Sequence, residues 1–204
     1  MIVGGGGFAR EVAWLVHGVN RVEPRWHLVG FIDLEPGPAI RGVPVVPVDE
    51  LCGLGANSAV TAIGSPRLRR QLTGEMQGVG LPFATLVHPS VRIDESVRLG
   101  AGTVVCAGSQ LTVGITIGAH VVVNLDCTIG HNVAIEDYAT LSPGCHISGR
   151  TTIQQGCFLG TGVVTIEGIT IASEATVGAG GVVVRDVPPG TTAIGVPAKP
   201  RPRV

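Results

Sequence analysis

From Ile93 onward the chain repeats with a period of six. The positions Ile93, Leu99, Val105, Leu111, Ile117, Val123, Ile129, Ile135, Leu141, Ile147, Ile153, Leu159, Thr165, Ile171, Val177 and Val183 are aliphatic in fifteen of sixteen cases, Thr165 being the exception. The residue two before each is small or apolar, as at Thr103, Ser109, Cys127, Ala139 and Cys145. Each hexad therefore offers a large inward aliphatic and a smaller inward partner. A helix would need apolar spacing near 3.6, and a flat strand would alternate without turns. A period of six fits a parallel β-helix of short strands and tight corners. Glycine follows the aliphatic at Gly100, Gly118, Gly130, Gly160 and Gly178, where a sharp turn is expected to demand positive φ. Three hexads make a coil of 18 residues, so sixteen make about five coils, and Cys127 and Cys145 should stack on one face.

The first half follows another pattern. Residues 2–4 form a short apolar strand that runs into Gly4-Gly5-Gly6-Gly7-Phe8-Ala9, and Val12, Leu15, Val16 and Val19 follow at helical spacing. A second strand is predicted over residues 27–32, ending at Asp33. Gly4, Gly6 and Ala9 satisfy G-x-G-x-x-G/A between a strand and a helix, where backbone N–H groups and a helix N-terminus can face an anion. A third strand, residues 59–63, ends at Gly64-Ser65-Pro66 before a basic helix start with Arg67, Arg69 and Arg70. About 85 residues are too few for a six-stranded dinucleotide fold, so a shortened sheet holding one nucleotide is expected, with a ligand-free tight turn as the alternative. The predicted division is a Rossmann-like α/β domain at 1–87 and a β-helix with a C-terminal tail at 88–204.

Composition agrees with a solenoid. The 204 residues include 31 glycines, and the hydrophobic fraction of 45% contains only 3% aromatics. Fourteen basic and fifteen acidic residues nearly cancel, and do so within each half, so no basic face for nucleic acid is visible. No apolar run reaches the ~18 residues of a membrane span. The start lacks the basic and apolar regions of a signal peptide. Cys52, Cys106, Cys127, Cys145 and Cys157 form no CxxC pair. They read as reduced core residues of a cytoplasmic protein.

The segments IVGGGGFAREV and FID, the HPS at residues 88–90, the hexads and the Gly195-Val196-Pro197-Ala198-Lys199 ending together resemble the bacterial hexapeptide-repeat sugar acetyltransferases. That family includes UDP-4-amino-sugar N-acetyltransferases and sialic acid O-acetyltransferase-like proteins. The resemblance implies a left-handed β-helix, against the usual right-handed crossover. It also implies a homotrimer with acetyl-CoA as co-substrate between neighbouring helices, no metal, and acetyl transfer to the amine of a nucleotide-linked amino sugar.

Residue by residue, it implies that His131, two after the inward Ile129, is the general base, since a neutral imidazole can take a proton near pH 7. Gly149, one coil further on the same face, would offer its N–H to the thioester oxyanion. Asn132 stands where the family usually has Glu or Asp; Asp126, Glu136 or Asp137 could supply that charge from another direction. Gly6, Gly7, Phe8, Asp33, Leu34 and Gly64 would line the nucleotide-sugar site, with Phe8 where relatives often have His. Thr140, Thr161 and Ala179 would line the acetyl-CoA site, with Thr140 again in place of a frequent His. Arg185, Lys199, Arg201 and Arg203 would meet CoA phosphates or form a solvated tail.

Three other readings stay open. A β-helical metalloenzyme would need ligands stacked at multiples of 18, whereas His120, His131 and His146 differ by 11 and 15. A non-catalytic trimeric module would only bind a nucleotide. Sugar O-acetylation would use the same base.

Overall fold

The computed structural model describes residues 1–35 and 37–201, apart from the side chains of Cys52 and Gln77. Arg203 lies outside the described residues. The N-terminal part is a four-stranded parallel sheet. β1 (Ile2–Val3) lies between β2 (Phe31–Ile32) and β4 (Val60–Thr61), and β3 (Val45–Val46) forms the edge beside β2. The ladders are shorter than the predicted strands, and β3 is an element the sequence reading did not include. Helix α1 (Gly7–Val22) covers one face, burying Ala9, Val12, Ala13, Leu15 and Val16 at the predicted spacing. A 3-10 helix (Val48–Leu54) and α2 (Pro66–Gln77) cover the other, through Leu51, Leu72 and Met76. Ser65 caps α2 by accepting from the Leu68 N–H, with Pro66 in the first turn, where its missing N–H costs nothing.

The rest is a left-handed parallel β-helix. Its strands are mostly two residues long, and up to Val183 each pairs with the strand 18 residues away, as in Val104↔Val122↔Thr140, Thr116↔Ala134↔Thr152 and Thr128↔His146. Three parallel sheets form the sides of a prism. The repeat begins one hexad earlier than predicted, since β5 (Leu86–Val87) pairs with Val104–Val105. The inward positions from Val105 to Val183, Thr165 included, are all buried. Ile93 at 41% exposure and the half-buried Leu99 are the exceptions: each stands in the terminal strand of its sheet.

The small inward positions carry a hydrogen-bond pattern. Thr103, Ser109 and Thr151 donate from their hydroxyls to Gly118, Asn124 and Ile166 carbonyls, each 15 residues on. The thiols of Cys127, Cys145 and Cys157 point at the Ser142, Gly160 and Ala172 carbonyls in the same way, at 3.4, 3.4 and 3.1 Å. These cysteines are free and buried. Burial pushes the Cys106 and Cys157 thiols up to about 12, so they remain protonated.

The corners correct one expectation. Positive φ recurs every sixth residue from Gly102 to Gly180, but three residues after the aliphatic rather than one, and it includes His120, Asp126, Asn132, Tyr138, Arg150 and Glu174. Gly100, Gly118, Gly130 and Gly160 serve another purpose. A Cβ at Gly130 would stand 2.8 Å from Gly149 N, and one at Gly160 2.6 Å from Ala179 N. They are glycines because the next coil's backbone passes too close for a side chain.

One side of the prism is buried on both faces. Its outward residues Leu86, Val104, Val122 and Thr140 are covered, Leu86 and Val104 sharing a core with Val12, Ala13 and Val16 of α1. At the same junction Arg69 is fully buried. Its guanidinium donates to carbonyls of Ile63, Gly64, His120, Tyr138 and Ala139 at 2.6–3.3 Å, spanning both parts of the chain. Burial lowers its pKa to about 9, still above neutral, so Arg69 enters this junction charged. Of the three arginines in the basic helix start, Arg69 is thus the one turned inward.

Candidate active site

Gly4 takes φ +119 and lies 2.9 Å, by its would-be Cβ, from the Ala62 carbonyl, so only glycine fits between β1 and β4 here. Gly6 caps α1, whose first residue is Gly7. The helix therefore presents unpaired N–H groups to the crevice beyond the carboxyl ends of the strands. A cavity of about 300 Å³ occupies that crevice. Its walls include Gly6, Gly7, Phe8, Asp33, Leu34 and Gly64, the six residues expected at the nucleotide-sugar site. Gly5 packs against Asp33, a Cβ there falling 2.5 Å from Oδ2. Asp33 Oδ1 accepts from the Leu34 N–H at 2.7 Å, which fixes the carboxylate at the rim.

His131 lies on a corner of the prism with its side chain 47% exposed. Its Nδ1 is 3.1 Å from Asn132 Oδ1. That amide oxygen only accepts, so Nδ1 carries the proton and Nε2 presents its lone pair. Asn132 reaches back because it adopts φ +58, a conformation asparagine tolerates better than most residues. Gly149 lies beside the ring in the next coil, where a Cβ would meet Nε2 at 2.5 Å. Any larger residue would displace the imidazole. The Gly149 carbonyl accepts from the Gly168 N–H at 3.0 Å, while its own N–H finds no acceptor among the described residues.

The carboxylates proposed to stand in for an acidic neighbour do not reach the ring. Asp137 accepts from the Ala119 N–H and Glu136 from the Gln155 N–H. Asp126 faces Gly108, on a different corner. The carboxylate that does approach is Glu167, whose Oε1 is 3.6 Å from His131 Nε2 and 2.7 Å from Arg150 Nη2. Its signal in the sequence was arithmetic: 131, 149 and 167 are successive steps of 18.

Thr161 and Ala179 are exposed and aligned one coil apart, but on a different corner column from His131 and Gly149. Thr140 departs from expectation. Its side chain is 2% exposed and its hydroxyl donates to the Gly64 carbonyl at 2.8 Å, so it joins the N-terminal part to the prism instead of lining an open groove. Arg185, Lys199 and Arg201 are exposed; the last two lie in a strand antiparallel to Thr192–Ile194. Among the described residues, no three His, Cys, Asp or Glu side chains are placed to hold a metal ion. No helix there is long and apolar enough to cross a membrane.

This pairing of a glycine-loop crevice with an imidazole on a hexapeptide prism defines an acyltransferase architecture, and known proteins share it. Residues 1–76 match the family described as the PglD N-terminal domain. A variant of perosamine N-acetyltransferase from Caulobacter crescentus, solved with CoA and GDP-perosamine, superposes with a TM-score of 0.93. It is 33% identical, over 99% of this chain and 96% of that one. The acetyltransferase domain of PglB from Neisseria gonorrhoeae gives 0.90 and 31% identity over 98% of both chains. WeeI from Acinetobacter baumannii gives 0.90 and 28% identity, over 98% of both. A curated protein of Schizosaccharomyces pombe, named as an acetyltransferase, is 50% identical over 42 residues, and the chain spans only a fifth of its length. The chain belongs to the bacterial hexapeptide-repeat sugar acetyltransferases.

Proposed function

We propose that the protein transfers the acetyl group of acetyl-CoA to the amine of a nucleotide-linked amino sugar, with His131 as the base. The observation that carries this is the pair of sites: a crevice at a glycine loop and helix N-terminus, and a half-exposed imidazole whose Nε2 makes no hydrogen bond among the described residues and has Glu167 at 3.6 Å. The family relative solved with CoA and GDP-perosamine supports the same two ligand classes. Nε2 takes a proton from the acceptor amine, and the nitrogen attacks the thioester carbonyl carbon. The unpaired Gly149 N–H donates to the oxygen that becomes negative. As the C–S bond breaks, the sulfur leaves and takes a proton, and the amide remains.

The working assembly is a homotrimer. Thr161 and Ala179 occupy one corner column and His131 and Gly149 another. They can line one groove only if two copies meet along it, each lending a different edge. In this reading acetyl-CoA binds at the seam. The reaction belongs in the cytoplasm, where acetyl-CoA is available.

The test is mass spectrometry on UDP-, GDP- and dTDP-linked 4-amino sugars incubated with acetyl-CoA. One should gain an acetyl group with stoichiometric thiol release. His131→Ala should lower transfer by ~10²–10⁴ while CoA binding and assembly persist. Acetylation of hydroxyl sugars alone would overturn the amine assignment, and an active His131→Ala would overturn the base.

A further inference from the structure

Glu167 is two residues after the inward Thr165 and stands in the same corner column as His131 and Gly149. Arg150, from the intervening coil, grips its Oε1 at 2.7 Å and fixes the carboxylate beside the ring. The ring's orientation is set independently by Asn132, which holds Nδ1 and leaves a lone pair on Nε2. That lone pair and the carboxylate oxygen are 3.6 Å apart. With the imidazole neutral and its proton on Nδ1, neither can donate to the other. Two acceptors, one of them negative, therefore border the same half-exposed spot.

The group that satisfies both is a cation with more than one N–H bond. A sugar hydroxyl has one proton and no charge, and could serve only one of the two acceptors. A primary ammonium can donate to both at once and gains from the carboxylate's charge.

We propose that Glu167 is an acceptor-selecting residue, forming with His131 a two-point seat for the protonated amine of the sugar, while Arg150 positions it. The inference rests on the functional reading above and answers which nucleophile the site prefers. The ammonium enters held by both groups and gives one proton to Nε2. The neutral amine then attacks the thioester carbon. On collapse the departing sulfur takes the surplus proton of the new amide nitrogen, and the imidazolium returns its own proton to water.

Glu167→Gln keeps the shape and hydrogen-bonding reach of this exposed side chain but removes the charge. KM for the amino sugar should rise about tenfold, the scale of one charge-assisted hydrogen bond. kcat should change by less than about threefold, and KM for acetyl-CoA should not move. Calorimetry should show the wild type binding the amino sugar about tenfold more tightly than its 4-hydroxy analogue, and Glu167→Gln should bring that ratio towards one. An unchanged KM and an unchanged binding preference in Glu167→Gln, in an enzyme that does acetylate the amino sugar, would overturn this assignment alone. A wild type that acetylates no amino sugar would overturn the functional reading and this one with it.

Discussion

At the scale of single residues, the orientation of His131 depends on a neutral neighbour. Asn132 Oδ1 accepts from Nδ1 at 3.1 Å, which selects the tautomer but adds no charge to stabilise an imidazolium. A carboxylate at the same backbone position would keep the acceptor and add that charge. Asn132→Asp is therefore expected to keep or raise kcat, with acetyl-CoA affinity unchanged, in a steady-state thiol-release assay. A large loss of kcat at unchanged acetyl-CoA binding would mean that the amide itself is required, for instance because the φ of +58 at this corner suits asparagine better than aspartate. The adjacency of His131 and Gly149 was legible because spacing and resemblance pointed to the same pair. Glu167 was not, because a lone acid on a corner looks like any solvated side chain until the 18-residue period is applied to charges as well as to aliphatics.

Among elements, the period revealed the strands but misplaced the strain. The inward aliphatics alone imply where each two-residue strand lies, since one face must be buried at every sixth residue. They do not reveal which corner residue turns left-handed, because residues as different as Tyr138, Arg150 and Glu174 accept positive φ there alongside glycine. The glycines that follow the aliphatics are kept by coil-to-coil approach instead. Gly100→Ala would set a methyl against the Gly118 carbonyl carbon and the Ala119 nitrogen, backbone that cannot rotate away. Gly168→Ala meets nothing within 4 Å and carries only the cost of φ +73. Overpacking at Gly100 should cost ~1–3 kcal/mol, and the left-handed alanine ~1–2 kcal/mol. Gly168→Asn should recover part of the second loss, and Gly100→Asn none of the first. Urea titrations of the four variants check this; recovery by Asn at both positions would return the backbone-angle explanation to Gly100. The doubled apolar pairs Val104–Val105 and Val122–Val123 were a further signal in plain view. Both outward valines are buried, marking the side covered by the N-terminal part, whereas the outward Val182 of the pair Val182–Val183 stays half-buried, so the signal is not selective by itself.

In the whole molecule, the glycine-loop crevice and the prism are held in register by a polar junction. Arg69 enters it charged, and His120 lies beside it at 7% exposure, stacked on Tyr138 and edge-on to Phe83. Burial first, and then the Arg69 guanidinium, push the His120 pKa below the ordinary histidine range, with Asp137 opposing. Burial lowers His88 as well, where it stacks on Trp14 of α1. The sign follows from proton uptake. Below about pH 6.5 the unfolded chain protonates these imidazoles while the folded chain resists. Stability is thus fully present above that pH and declines as pH falls, by at most about 1.4 kcal/mol per pH unit at the buried His120 and by less at the more exposed His88. Thermal melts at fixed protein concentration should show Tm dropping between pH 7 and pH 5. His120→Asn, which tolerates the φ of +54 there, should flatten the slope while lowering Tm at pH 7 through the lost stacking. A slope unchanged by His120→Asn would move the acid sensitivity to His88. The fold would then owe its response to the packing of α1 on the prism and not to the charged junction around Arg69.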